Sequence, residues 1–182
     1  MKVAGNGQGK ILTPDELRRL FTDGLLKERD RALFGICLFT GCRVSEALAL
    51  QTTDIKGETL TFRKSTTKGK LKTRAVDIQP QLALILSAYN PKPGFLFPGG
   101  RPASALTRFN ADKILRAACL RAGLEGVSTH SFRRTALTMM SGAGIPLRVI
   151  QEISGHGDLG TLQRYLEVSQ DEKSKAVSVI GF

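Results

Sequence analysis

Thr40-Gly41-Cys42-Arg43-Val44-Ser45-Glu46-Ala47-Leu48-Ala49-Leu50 is the stretch that decides how this 182-residue chain is read. Thr40-Gly41 ends an apolar run, so one helix covers about Glu28 to Phe39 and a second carries Arg43 through Leu50. Arg43 and Glu46 stand three residues apart, the spacing of an ordinary ion pair on a helix surface. An arginine also has another use, because its planar and always charged guanidinium forks onto two oxygens of a phosphate. What else the chain offers a phosphate decides between the two.

Outward from this stretch lie three more polar groups. His130 and Arg133 share a helix face in Thr129-His130-Ser131-Phe132-Arg133-Arg134. His156 follows Gly155 in Ile153-Ser154-Gly155-His156-Gly157-Asp158, which alone reads as a helix stop and a polar turn. Tyr165 comes nine residues after His156 and lies beside the Leu159, Leu162, Leu166 stripe, where a half-buried core tyrosine would sit. Each has a bland structural reading when taken singly. Together they supply what cleavage of a phosphodiester without a metal requires: two guanidiniums for the non-bridging oxygens, imidazoles to move a proton or donate to those oxygens, and a nucleophile.

At these residues the chain resembles the tyrosine recombinase family, which includes phage integrases and chromosome-dimer-resolving recombinases. Thr40 to Leu50 matches the first box, approximately Thr-Gly-x-Arg-x-Ser-Glu-x-x-x-Leu. His130 and Arg133 match the second, His-x-x-Arg, and Gly155, His156 and Tyr165 match the third. Leu12-Thr13-Pro14-Asp15-Glu16-Leu17 is similar to the family's usual entry into its catalytic domain. The likeness covers about residues 11 to 168. Phe132 stands where the family usually has Leu, and Ser154 replaces the common Leu before Gly-His; neither change removes a catalytic side chain.

The resemblance implies an α+β, mostly helical catalytic-domain fold with a small antiparallel sheet at one edge. It implies that Tyr165 attacks the scissile phosphate to form a 3′-phosphotyrosyl link, that Arg43 and Arg133 clamp the oxygens, that His156 donates to the phosphate and that His130 accepts the tyrosine proton. The leaving oxygen would be protonated by a lysine in the hairpin Arg63-Lys64-Ser65-Thr66-Thr67-Lys68-Gly69-Lys70-Leu71-Lys72-Thr73-Arg74. Lys68 precedes the turn glycine and is the choice, with Lys70 one register step away as the alternative. Arg63, Lys64, Lys70, Lys72, Arg74, Arg108 and Arg134 are the expected contacts to the DNA backbone. Double-stranded DNA is the partner, on which monomers would assemble as a homotetramer, in the cytoplasm of a prokaryote and encoded by a virus or mobile element. No cofactor and no metal is implied.

Composition agrees. The net charge is +11, which suits a polyanionic partner. From Thr59 to Ala111 there are nine Lys or Arg against one acid, Asp77. Cys37, Cys42 and Cys119 have no paired spacing and only two histidines exist, so neither a zinc site nor a disulfide framework is indicated. Cys37 and Cys119 lie among apolar residues and are expected to be buried and reduced. No apolar run approaches the ~20 residues of a membrane span.

Coarse patterning gives mostly helices around one small sheet. Thr13, Pro14 and Glu16 start a helix running to about Leu26. Leu60-Thr61-Phe62 and Ala75-Val76-Asp77-Ile78 read as strands flanking the basic hairpin, and Pro80 to Tyr89 as a helix. Phe95 to Pro102 reads as a Gly- and Pro-rich surface loop. A long helix from about Ala105 to Ala122 carries Phe109, Ile114, Leu115 and Ala118 at helical spacing. In the helix opened by His130, an apolar stripe of Phe132, Ala136, Met139 and Met140 faces away from the His–Arg face; Pro146 to Ile153 and Leu159 to Val168 complete the set. Residues 1–10 read as a flexible lead, 11–168 as the catalytic domain and 169–182 as a tail that either docks on a neighbouring protomer or folds back on its own domain. Only about ten residues precede the catalytic domain, where many family members carry a helical domain that closes around DNA; the chain reads equally as a complete small recombinase, similar to the fimbrial-switch invertases, or as an excised catalytic fragment, and binding by it should be weak and salt-sensitive. A type IB topoisomerase-like enzyme and a DNA-binding regulator are the alternative readings; the Gly-His box favours the recombinase, and binding alone does not require Tyr165.

Overall fold

The structure, a computed structural model, describes residues 9–66, 72–163 and 177–178. Thr13 opens helix α1 (Pro14–Arg19) with a capping box, its hydroxyl accepting from the Glu16 amide at 3.2 Å and the Glu16 carboxylate accepting the Thr13 amide at 3.0 Å. The helix continues as one π turn (Leu20–Gly24). Helix α2 (Glu28–Thr40) is central. Ala32, Leu33, Phe34, Ile36 and Cys37 are all fully buried because α4 (Pro80–Tyr89) and α6 (Thr129–Gly142) both pack on it. Phe34 and Phe132 stack with ring centroids 4.9 Å apart and join α2 to α6.

Gly41 ends α2 in the left-handed region at φ 60°, a conformation that glycine adopts without strain. The chain then reverses into α3 (Val44–Leu48), which is shorter than the sequence suggests. Arg43 is its extended N-cap residue rather than a helical one, and Glu46 closes the cap by accepting the Arg43 amide at 3.0 Å. Three antiparallel strands follow in the order β1-β2-β3: β1 (Ile55–Lys56), β2 (Thr59–Phe62) and β3 (Arg74–Asp77). Leu60 pairs with Val76 and Phe62 with Arg74. The alternation puts Leu60, Phe62, Val76 and Arg74 on the buried face. The two-residue β1 carries too short a pattern to be read from sequence.

The Phe95–Pro102 segment is a loop with Pro98, Gly100, Arg101 and Pro102 exposed, but it is not wholly at the surface. Leu96 and Phe97 are fully buried, Phe97 stacks on Tyr89 at 5.9 Å, and the Tyr89 hydroxyl donates to the Leu96 carbonyl at 2.8 Å. Two large apolar side chains outweigh the turn-forming tendency of the glycines and prolines around them. Helix α5 (Arg108–Ala122) starts at the Thr107 cap and buries Ala111, Leu115, Ala118, Cys119 and Ala122. Phe109, expected on the core face, is 73% exposed because the register turns it outward in the first turn. In α6 the buried face holds Phe132, Arg133, Thr135, Ala136 and Leu137, and Met139 is exposed, so the apolar stripe is shifted and Arg133 points into the protein. Helices α7 (Leu147–Ser154) and α8 (Leu159–Gln163) pack on α6 through a second cluster of Leu137, Ile150 and Leu162. That cluster anchors the chain three residues before Tyr165; Tyr165 and the expected end of the helix at Val168 lie outside the described residues. Cys37, Cys42 and Cys119 are buried free thiols, and no described helix is long and apolar enough to cross a membrane.

Candidate phosphate-binding site

Arg43 at the start of α3, Arg108 in the first turn of α5, and Thr129, His130 and Arg133 in α6 line one pocket of about 250 Å³. Three of the expected catalytic residues and one expected DNA contact thus converge from three helices. His130 lies at the exposed rim, whereas Arg133 is 3% exposed. Such a charge stays inside only where its donors are satisfied. The Arg133 Nη1 donates to the carbonyls of Gly41 at 2.6 Å and Ser154 at 2.8 Å, and Nη2 meets the His156 ring 2.8 Å from Nε2 and 2.9 Å from Nδ1. One imidazole lone pair receives one bond, so three of the five guanidinium donors are engaged by the described residues. Burial, then the charge of Arg43, pulls the Arg133 pKa down to about 10, which leaves it protonated at neutral pH.

His156 is 6% exposed, and its Nδ1 lies 2.8 Å from the Ser154 hydroxyl. Burial, followed by the charges of Arg133 and Arg43, lowers its pKa to about 3, so the ring is neutral. A neutral imidazole offers one N–H and one acceptor, and its neighbours choose which nitrogen is which. Ser154, notable in the sequence only as a departure from the family pattern, is therefore part of the site.

Behind Arg43 stands Glu46, 1% exposed. Its Oε1 accepts from Arg43 Nη1 at 3.2 Å and its Oε2 from Arg74 Nη2 at 2.9 Å. Burial pushes its pKa up, but Arg74 and Arg43 outweigh that and hold it below the ordinary carboxylate value. Arg74, expected on the DNA, is 7% exposed and turned inward. Its strand position faces the core and its charge is met by Glu46, which corrects the expectation. Arg63 donates to the Ala49 carbonyl at 3.0 Å and pairs with Asp54 at 3.2 Å, and Arg134 is half-buried and ties the N-terminal segment to α6 by donating to the Gly9 carbonyl at 2.9 Å. Lys64 and Lys72 are exposed at the two described ends of the hairpin, Lys72 pairing with Glu152 of α7. Lys68, Lys70 and Tyr165 lie outside the described residues. Among the described residues no three His, Cys, Asp or Glu side chains stand together as a metal site.

Residues 10–172 match the model of the phage integrase family. The tyrosine recombinase XerD of Rickettsia conorii is 32% identical over 169 residues, covering 82% of this chain and 55% of that protein. The solved catalytic domain of bacteriophage HP1 integrase has a TM-score of 0.70 at 25% identity, over 94% of this chain and 95% of that one. The XerH site-specific recombinase, solved bound to its difH substrate in a pre-cleavage complex, has a TM-score of 0.72 at 25% identity, over 93% of this chain and 54% of that one. The chain spans about half the length of the curated relatives it matches.

Proposed function

The chain belongs to the phage integrase family, and on that premise we propose that it is a site-specific DNA recombinase that cuts and rejoins duplex DNA through a 3′-phosphotyrosyl bond to Tyr165. The observation that carries this reading is the convergence of Arg43, His130 and Arg133, from separate segments, on one pocket with Arg108 at its edge. XerH, a similar recombinase solved on its difH substrate, supports DNA as the substrate.

In the proposed step the Tyr165 phenol oxygen bonds to phosphorus as the bond from phosphorus to the 5′ oxygen breaks. His130 takes the phenol proton, and Lys68, or Lys70 one register step away, gives a proton to the departing 5′ oxygen. Charge gathers on the non-bridging oxygens, which Arg43 and Arg133 bind; preorganised donors of this kind need no rearrangement as the charge develops. His156, kept neutral, adds a hydrogen bond without a charge of its own. The pKa of a free tyrosine is near ~10, so the surrounding cations are needed to favour the phenolate. The phosphotyrosyl bond keeps the energy of the phosphodiester, and attack by a second DNA 5′-hydroxyl reverses the step without ATP or metal. Lys64, Lys72 and Arg108 supply backbone contacts, and four protomers assemble on the DNA from free monomers.

Incubation with a nicked suicide duplex taken from the sequences flanking the coding region tests the proposal. The expected result is a covalent protein–DNA adduct that disappears in Tyr165→Phe while DNA affinity is nearly unchanged. Equal loss of binding and cleavage would remove Tyr165 from its role.

A further inference from the structure

We propose that Arg74 is a positioning residue that ties the strand leaving the basic hairpin to both halves of the phosphate pocket, through Glu46 to Arg43 and through the Ile153 carbonyl to the Gly155–His156 turn. Its consequence for strand cleavage rests on the recombinase reading; the tie itself does not.

Arg74 makes three different contacts at once. Its Nη2 donates to Glu46 Oε2 at 2.9 Å, its Nε donates to the Ile153 carbonyl at 3.0 Å, and its guanidinium lies over the Phe62 ring 4.1 Å from the centroid. Phe62 is also its cross-strand partner, so the register of β2 and β3 delivers the stacking surface. Glu46 holds Arg43 with the same carboxylate, at 3.2 Å to Nη1 and 3.0 Å to the backbone amide. One buried anion therefore sets both arginines, and the pull on either is felt by the other.

The third-box turn is moulded on the same guanidinium. A Cβ added at Gly155 would come within 2.7 Å of Arg74 Nη1 and 3.0 Å of Cζ. Gly155 is thus required twice, by its φ of 68° and by the close approach of Arg74, and the next residue is His156. Lys72, two residues earlier, pairs with Glu152 of the same helix α7. The hairpin that carries Lys68 and Lys70 is consequently anchored to α7 at its returning end. A lysine at position 74 would be a single point charge and would not fork between a carboxylate and a carbonyl while stacking on a ring.

The experiment uses the whole chain and compares wild type with Arg74→Met and Arg74→Lys. Hydrogen exchange followed by mass spectrometry reads the amides of 41–45 and 153–157; adduct formation at saturating nicked duplex reads the chemistry; anisotropy across a salt series reads binding to the same duplex. The expected result for Arg74→Met is faster exchange in both segments and cleavage slower by about 10- to 100-fold, as for a misplaced catalytic group, with an unchanged Kd and salt slope. Arg74→Lys should recover part of the Glu46 tie and leave 153–157 loosened, and it carries the test if the methionine variant does not fold. Unchanged exchange in both segments overturns the proposal. So does a weaker Kd with a salt slope reduced by about one, the signature of a direct phosphate contact. A wild type that forms no adduct overturns the recombinase reading, and the exchange measurement still decides whether Arg74 ties the two segments.

Discussion

Arg133 and Arg43 line the same pocket and are held in opposite ways. Arg133 is 3% exposed and grips two backbone carbonyls and an imidazole, so it belongs to the core as much as to the site. Arg43 sits at the open end of a five-residue helix with its side chain 24% exposed and one carboxylate behind it. A guanidinium used as an internal brace is rigid but cannot be removed without loosening the fold. One mounted on a helix cap is separable from the fold.

Replacing each in turn gives the sharpest test of that difference. Arg133→Ala leaves the Gly41 and Ser154 carbonyls without their donor and should lower stability by about 2–4 kcal/mol as well as slowing cleavage by at least ~100-fold. Arg43→Ala should slow cleavage by a similar ~100-fold and lower stability by less than about 1 kcal/mol, since Glu46 keeps Arg74. Urea unfolding beside single-turnover cleavage reads both quantities, and equal stability losses would erase the distinction.

A smaller effect comes from His156. Its folded-state pKa, about 3, lies below the ordinary 6.5, so on acidification the unfolded chain takes up the proton first. Its contribution is complete above about pH 6.5 and is lost as the pH falls toward 3, at up to about 1.4 kcal/mol per pH unit. Unfolding midpoints at pH 7, 6 and 5 should decline in wild type and decline less in His156→Gln. Parallel curves would show that the imidazole is not held neutral.

The smallest effect belongs to the solvent-facing side of the site. Lys72 is 58% exposed in its pair with Glu152. Lys72→Ala should shift stability by no more than about 0.5 kcal/mol and reduce the salt slope of DNA binding by about one. A stability loss comparable to that of Arg133→Ala would place Lys72 among the braces.

The boundaries of α2 and α4 were legible because helix-starting and helix-breaking residues act locally: Thr40-Gly41 after an apolar run, Pro80 ahead of another. The burial of Leu96 and Phe97 within the Phe95–Pro102 loop was not, since its glycines and prolines signal a turn whatever happens to those two side chains. Arg43, His130 and Arg133 were legible as a set because residue type and order carry the chemistry. Two partners of Arg133 were invisible, being the backbone carbonyls of residues 41 and 154, which carry no side-chain signal.

Sequence alone determined the helical punctuation, the two strands flanking the basic run and the identity of polar groups that line one pocket, all carried by side-chain type and order. Only the tertiary structure decided which cations face solvent and which face inward. Arg74 and Lys72 stand two residues apart in one basic run, yet one is buried and the other exposed. The physical reason is that a guanidinium enters the interior only where acceptors distant in sequence meet its donors, and for Arg74 the Glu46 carboxylate, 28 residues away, does so at 2.9 Å.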